Sequence, residues 1–260
     1  MLKTPKFSIL TACYNSKPFL FDYFKSIEAQ KYRPLELVFV NDCCTDYSVE
    51  IFKFKFEELK KQGISIKYIN NKKRLRCGGS YYAAVCAATG DFFGVLDSDD
   101  MLLPNAVNFI MKLYMKYKDI GWMYSQFQTF TKKGNKINFL KRGFSSAPSR
   151  VESLLSLGKE GKHAFSHWRT FSRRVKNYES VFCKKLSSSV DKYMGYKLEE
   201  LSIGMFVNKI LYLYRKRFKK CVSISDKPLK NWREVKKEAF ARRKKKHIVT
   251  FPVRIFTGKI

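Results

Sequence analysis

Acidic residues are scarce in this chain. Its 260 residues hold 22 Asp and Glu against 52 Lys and Arg, a formal net charge of +30. A surface so short of carboxylates attracts phosphates, anionic lipid headgroups or nucleic acid, so substrates and partners are expected to be anionic. The seven cysteines (Cys13, Cys43, Cys44, Cys77, Cys86, Cys183, Cys221) are odd in number and include no C-x-x-C pair. Neither a disulfide framework nor a zinc cage is indicated, which points to a reducing, cytoplasmic setting. No apolar signal core precedes Phe7, and the most apolar late stretch, Leu201–Tyr214, is too short to span a bilayer and carries Lys209. There is no internal repeat.

What the chain does have is core material. Its hydrophobic share is 45% and its aromatic share 16%, with 23 Phe and 15 Tyr. That is enough for a packed interior, and the length suits one large α/β domain rather than two. Four short runs rich in Ile, Val and Phe (Phe7–Ala12, Leu35–Val40, Ser65–Ile69, Phe92–Leu96) alternate with helix-compatible stretches, among them about Lys17–Gln30 and Tyr47–Lys61. This rhythm predicts a mostly parallel sheet with helices on both faces, and such sheets bind ligands at the carboxyl ends of their strands. Beyond Asp100 the pattern predicts a helix near Pro104–Tyr117, a strand near Gly121–Phe130 and a Gly/Ser/Pro-rich loop at Lys141–Arg150. A helix near Leu198–Asn208 and a short strand at Ile210–Tyr214 should follow.

The sharpest chemical feature is Val95-Leu96-Asp97-Ser98-Asp99-Asp100, an apolar strand running straight into three carboxylates. Like charges this close call for a divalent cation or a set of donors. Alternation along an extended strand end puts Asp97 and Asp99 on one side, so that one can reach a nucleotide ribose and the other a metal ion. A solvated loop or a helix N-cap built on Asp99 or Asp100 is the competing explanation. Phe7–Asn15 and Val38–Asp46 end in small and polar groups in the same manner. In a parallel sheet all three ends share one edge.

Four segments together resemble a known family: Thr11-Ala-Cys-Tyr-Asn15, Val40-Asn-Asp-Cys-Cys-Thr-Asp46, Ala88–Asp100 and Leu211-Tyr-Leu-Tyr-Arg215. This ordered set resembles the inverting, family 2 nucleotide-sugar glycosyltransferases of the GT-A fold, a Rossmann-like α/β architecture. The likeness covers roughly residues 5–215, which defines a catalytic domain at 1–215 and a basic helical extension at 216–260. It implies that Thr11, Tyr14 and Asp42 border the base and ribose, that Asp97 contacts the nucleotide, and that Asp99 holds a Mn²⁺ or Mg²⁺ on the diphosphate. Where the family often has Gly-Ser this chain has Cys43-Cys44, and where it often has Arg-Asn it has Tyr81-Tyr82. Lys72, Lys73, Arg74 or Arg76 would then replace the missing arginine at the diphosphate, or these four cations form a solvated basic loop.

Inverting transfer also needs a carboxylate to take the proton of the attacking acceptor hydroxyl. The resemblance implies an acidic pair opening an apolar helix before the Tyr-Arg segment. Glu200 fits that place, with Asp191 and Glu199 as rivals and a purely structural helix-start role as the alternative for all three. On the acceptor side His163 and His167 would assist the diphosphate or the metal, or be structural. Trp168 would stack on a sugar ring, or anchor the core.

From Arg215 onward 17 Lys and Arg face 3 acids. The run Arg242–His247 suits an anionic membrane surface, a nucleic acid or plain solvent. Two other functions compete with the glycosyltransferase reading. A sugar-phosphate nucleotidylyltransferase would carry a glycine-rich loop after the first strand, where this chain has Thr11–Asn15. A nucleic-acid-binding protein would spread its cations and aromatics over one face rather than gather the charge toward the tail.

Overall fold

The computed structural model describes residues 3–134, 136–142, 168–217 and 232–258. The first half alternates strand and helix: β1 (Phe7–Cys13), α1 (Leu20–Glu28), β2 (Leu35–Asn41), α2 (Ser48–Lys61), β3 (Ile64–Asn70), α3 (Arg76–Ala87) and β4 (Phe92–Val95). β5 (Met101–Leu102), α4 (Ala106–Lys116) and a hairpin of β6 (Trp122–Lys133) with β7 (Lys136–Arg142) come next. Then follow β8 (Arg169–Ser172), α5 (Val190–Leu201), β9 (Gly204–Arg215), α6 (Trp232–Lys245) and β10 (Val253–Phe256).

The strands form one sheet in the order β10-β9-β6-β8-β4-β1-β2-β3, with β5 on β9 and β7 on β6. β3, β2, β1 and β4 run parallel, β8 is antiparallel to both of its neighbours, and β6, β9 and β10 are again parallel to one another. Two reversals across β8 restore the original direction. The carboxyl ends of β1, β2, β4 and β9 therefore share an edge.

Side-chain alternation explains the layers. In β2, Leu35, Leu37 and Phe39 pack on one face with Phe24 of α1, Phe52 of α2 and Ile110 of α4, while Val38 and Val40 meet Tyr81 of α3 on the other. Alternating residues buried on both faces are what a central parallel strand requires. Phe39 stacks on Phe52 at 4.6 Å between ring centroids, and Phe52 on Tyr68 at 4.8 Å, fixing α2 over the sheet. Gly204 opens β9 because a Cβ there would come within 2.5 Å of the Trp122 ring lying across it.

The expected strands β1 to β4 agree within one residue at each end, and the fold class is the expected one. Two expectations about the later chain are corrected. The helix placed at Leu198–Asn208 instead ends at Leu201, because Val190, Met194 and Leu198 form a buried stripe at i, i+4 and i+8 that carries the helix through Gly195. Packing outweighs the roughly 1 kcal/mol helix penalty of that glycine. The region 216–260 is also no appendage in its described part. β10 adds to the sheet beside β9, and Val235 and Ala239 of α6 enter the core under α5.

Candidate active site

A cleft of about 860 Å³ opens at the carboxyl edge of the sheet. Asp97 and Asp99 both line it, while Asp100 turns away into the protein. The Asp100 carboxylate accepts the Tyr212 hydroxyl at 2.6 Å and the Arg215 backbone N–H at 2.7 Å, pinning the last residues of β9 beside the acidic turn. Burial, then the neighbouring Asp99 and Asp97 charges, push Asp100 well above the usual carboxylate range. Asp97 is raised to about 6, first by burial and then by Asp99, although the Tyr81 hydroxyl donates to it at 2.5 Å. The crowding read from the sequence is present.

Because the fold holds the Asp97 proton more tightly than the unfolded chain does, this residue's contribution to stability is greatest at low pH. It is lost as pH rises from about 3.8 through about 6. Asp97→Asn is therefore expected to raise the stability of the nucleotide-free protein at pH 7 by about 1–3 kcal/mol, with the gain vanishing near pH 4. Paired thermal unfolding of parent and variant across that range measures the difference.

The two other strand ends supply the opposite wall. Tyr14 lines the cleft with the Arg74 guanidinium 3.7 Å above its ring. Asp42 accepts hydrogen bonds from the backbone N–H groups of Leu75 (2.7 Å) and Arg76 (2.8 Å) and from the Asn71 amide (2.9 Å). It thus fastens the basic loop, bringing Arg74 and Arg76 to the cleft; Lys72 and Lys73 are not among its lining. Cys43 has φ +63°, in the left-handed region that glycine fills without strain, which is where the family often has Gly. Cys44 Sγ lies 3.8 Å from Cys13 Sγ and accepts the Asn15 N–H at 3.3 Å. The contact between the two thiols pushes Cys13 up and holds Cys44 down.

Other expected site residues lie elsewhere. Thr11 is buried, its hydroxyl against Tyr23 at 2.5 Å and the Leu96 carbonyl at 2.9 Å, so it supports β1 from within and does not line the cleft. Trp168 is 1% exposed in the sheet core, its indole nitrogen packed close over Gly94, and presents no face for a sugar. His163 and His167 lie outside the described residues, as does 143–150 of the expected loop.

The acidic pair is displaced most. Glu199 and Glu200 stand in the last turn of α5, not the first, and neither lines the cleft. Glu200 takes Arg242 Nη2 at 2.6 Å, Arg243 Nε at 3.0 Å and Lys197 Nζ at 3.5 Å. Burial works to raise its pKa, but these cations prevail and hold it below the ordinary range. Asp191 occupies the first turn of α5, lines the cleft, and lies 3.9 Å from the buried Arg169 guanidinium.

Sequence reasoning also missed the cationic rim. Lys132, Arg169, Arg215, Lys216 and Arg217 all line the cleft. Arg215 donates from Nε to the Asp99 carbonyl at 2.7 Å and from Nη2 to Asp22 at 2.8 Å. Arg217 meets the Asp99 carboxylate itself. An available signal was the Arg-Lys-Arg run at the end of an apolar strand.

The model of the glycosyl transferase family 2 matches residues 8–178. This chain belongs to that family. Among curated relatives, a chondroitin synthase from Escherichia coli is 26% identical over 210 residues, covering 81% of this chain but 29% of its own length. The chain thus spans less than a third of that relative. Solved structures share the architecture. S. aureus TarS 1–349 in complex with UDP-GlcNAc aligns with a TM-score of 0.63 at 17% identity, covering 85% of this chain and 61% of that one. The mannosyltransferase PcManGT from Pyrobaculum calidifontis, in complex with GDP-Man and Mn²⁺, aligns at 0.58 and 14%, covering 95% and 65%. Among the described residues of the family 2 chain, no helix is long and apolar enough to cross a membrane.

Proposed function

We propose that this chain transfers a sugar from a nucleoside-diphosphate sugar to a hydroxyl of a glycan or other acceptor, with inversion at the anomeric carbon. The observation that carries this reading is the meeting of Asp97, Asp99 and Asp191 with Arg74 and Arg76 in one cleft. Tyr14 with its stacked Arg74 offers a flat surface to the base, and Asp42 keeps the loop in place. Asp191 is the base: it accepts the acceptor proton as that oxygen attacks and the bond to the diphosphate breaks. Its position at a helix N-terminus and beside Arg169 favours the charge that a base must carry. Arg74 and Arg76 are placed to meet the negative charge that develops on the leaving group.

The donor set at the acidic turn fits a hard divalent ion. Among the described residues no three His, Cys, Asp or Glu gather as a cage, but Mg²⁺-like ions commonly take one or two carboxylates and complete their shell from phosphate and water. Asp97 and Asp99 would hold Mn²⁺ or Mg²⁺, which would supply charge neutralisation of the diphosphate. The test is a donor screen with UDP-, GDP- and dTDP-sugars with and without EDTA, reading released nucleoside diphosphate. Metal-dependent release with at least one donor is the expected result; none with any donor would defeat the reading.

The C-terminal region adds a contact surface. Phe240 (63% exposed), Val249 (84%) and Ile255 (60%) are exposed in the same C-terminal stretch as the exposed Lys244, Lys245 and Lys246. Apolar tips among cations suit an anionic bilayer surface. Co-sedimentation with phosphatidylglycerol vesicles, absent with phosphatidylcholine and reduced severalfold by Phe240→Ser, is the expected outcome. Nucleic acid is the weaker partner, since Arg242 and Arg243 are spent on Glu200 and Glu199.

A further inference from the structure

Asp99, assigned above to a cation, already has one. Its Oδ2 accepts Arg217 Nε at 2.7 Å and pairs with Nη2 at 2.5 Å. A carboxylate oxygen carrying two guanidinium N–H groups has its lone pairs engaged. A divalent ion on that oxygen would also stand next to a positive guanidinium, so the two compete for the carboxylate.

The two arginines at the end of β9 are held differently. Arg215 is 6% exposed and built in, bonded to the Asp99 carbonyl and to Asp22. Arg217 stands two residues past the strand with 25% of its side chain exposed, its guanidinium 4.6 Å from the Phe19 ring centroid on the cleft wall. A long side chain resting on an aromatic face keeps a favourable seat while its charged end changes partner.

We propose that Arg217 is a positioning residue that occupies Asp99 Oδ2 in the nucleotide-free protein and weakens its hold on the divalent ion. It surrenders the carboxylate when a diphosphate enters and draws the guanidinium onto its oxygens. The inference rests on the divalent-ion reading above and adds an order to it: ion and nucleotide enter as a coupled pair, since each favours the arrangement the other needs. A guanidinium suits this exchange because its planar fork matches carboxylate and phosphate alike.

The experiment is a titration of Mn²⁺ alone, followed by electron paramagnetic resonance, into parent, Arg217→Gln, Arg217→Lys and the double variant Arg217→Gln/Asp99→Asn, each checked for folding by thermal unfolding. Arg217→Gln is expected to bind Mn²⁺ at least about tenfold more tightly than the parent. Arg217→Lys, which cannot place two N–H groups of one planar fork on Oδ2, should fall between them, and the double variant should lose the gain. A mere loss of structure would weaken Mn²⁺ binding rather than tighten it. Equal Mn²⁺ affinity in parent and Arg217→Gln, or a gain that survives Asp99→Asn, would overturn the proposal. If Arg217→Gln does not fold, Arg217→Lys binding no tighter than the parent overturns it as well. Transfer undiminished in EDTA would remove the ion from the reaction while leaving the contest for Asp99 to stand or fall on these titrations.

Discussion

Asp191→Asn is expected to lower kcat about a thousandfold while leaving donor affinity within about threefold of the parent. General-base catalysis by a positioned side chain contributes roughly 10² to 10⁴ in rate, and an amide cannot accept the proton of the attacking hydroxyl. Asn keeps the size of Asp, so the helix start and the cleft wall persist. The carboxylate also lies 3.9 Å from Arg169, whose side chain is 2% exposed. The change therefore costs some stability, and thermal unfolding must accompany the kinetics. The measurement is single-turnover release of nucleoside diphosphate in the presence of acceptor, beside equilibrium titration of the donor. Transfer by Asp191→Asn at the parental rate would remove Asp191 from the chemistry.

Asp191 is already a rival to Glu200 in the sequence, and the fold decides which of the two faces the cleft. Strand ends could be read from residues alone, because apolar runs stopping at Asn15, Asp42 and Asp97 are local patterns and a parallel sheet necessarily gathers such ends at one edge. Strand alternation predicts Asp97 and Asp99 on one side, and both reach the cleft. β4 ends at Val95, however, and the Asp100 N–H bonds back to the Asp97 carbonyl, so a turn and not an extended strand brings them there. The base depended instead on where a helix begins. Gly195 reads as punctuation, yet Val190, Met194 and Leu198 bury a stripe through it, and that stripe exists only because α6 and the sheet lie against it. Moving the helix start exchanges the carboxylate that faces the cleft for one that faces the tail. Trp168 and Thr11 failed in the opposite way. Both are of a type that binds ligands, but the close packing of β8 on β4 and of α1 on β1 encloses them, and pairing of sequence-distant strands is not a local property. Arg217 shows a third case, in which a run of cations at the end of β9 becomes informative only once two reversals of strand direction bring that end beside Asp99.

Glu200→Ala is expected to destabilise the protein by about 3 kcal/mol, which for a chain of this size means roughly 6–12 °C in Tm. The Glu200 side chain is 2% exposed and compensates Arg242, Arg243 and Lys197 together. Removing it takes from the Arg242 guanidinium, 20% exposed, the carboxylate it pairs with and leaves Arg243, 10% exposed, to Glu199. Breaking a buried pair from one side usually costs 3–5 kcal/mol, and the partial exposure of Arg242 argues for the lower end. The pH dependence has a defined sign. Because the folded protein holds Glu200 below its ordinary value, its contribution is complete above about pH 4.5 and is lost as pH falls below that. The gap between parent and Glu200→Ala should thus close in acid. The folded fraction of the variant should still transfer sugar within about threefold of the parent rate in a single turnover, because neither Glu200 nor its partners line the cleft. A thousandfold loss of transfer with an unchanged melting curve would return the base to Glu200 and require the acceptor to approach from the α6 side. The same pair of readouts, rate and melting, tells the two carboxylates apart: Asp191→Asn moves chiefly the first, Glu200→Ala chiefly the second.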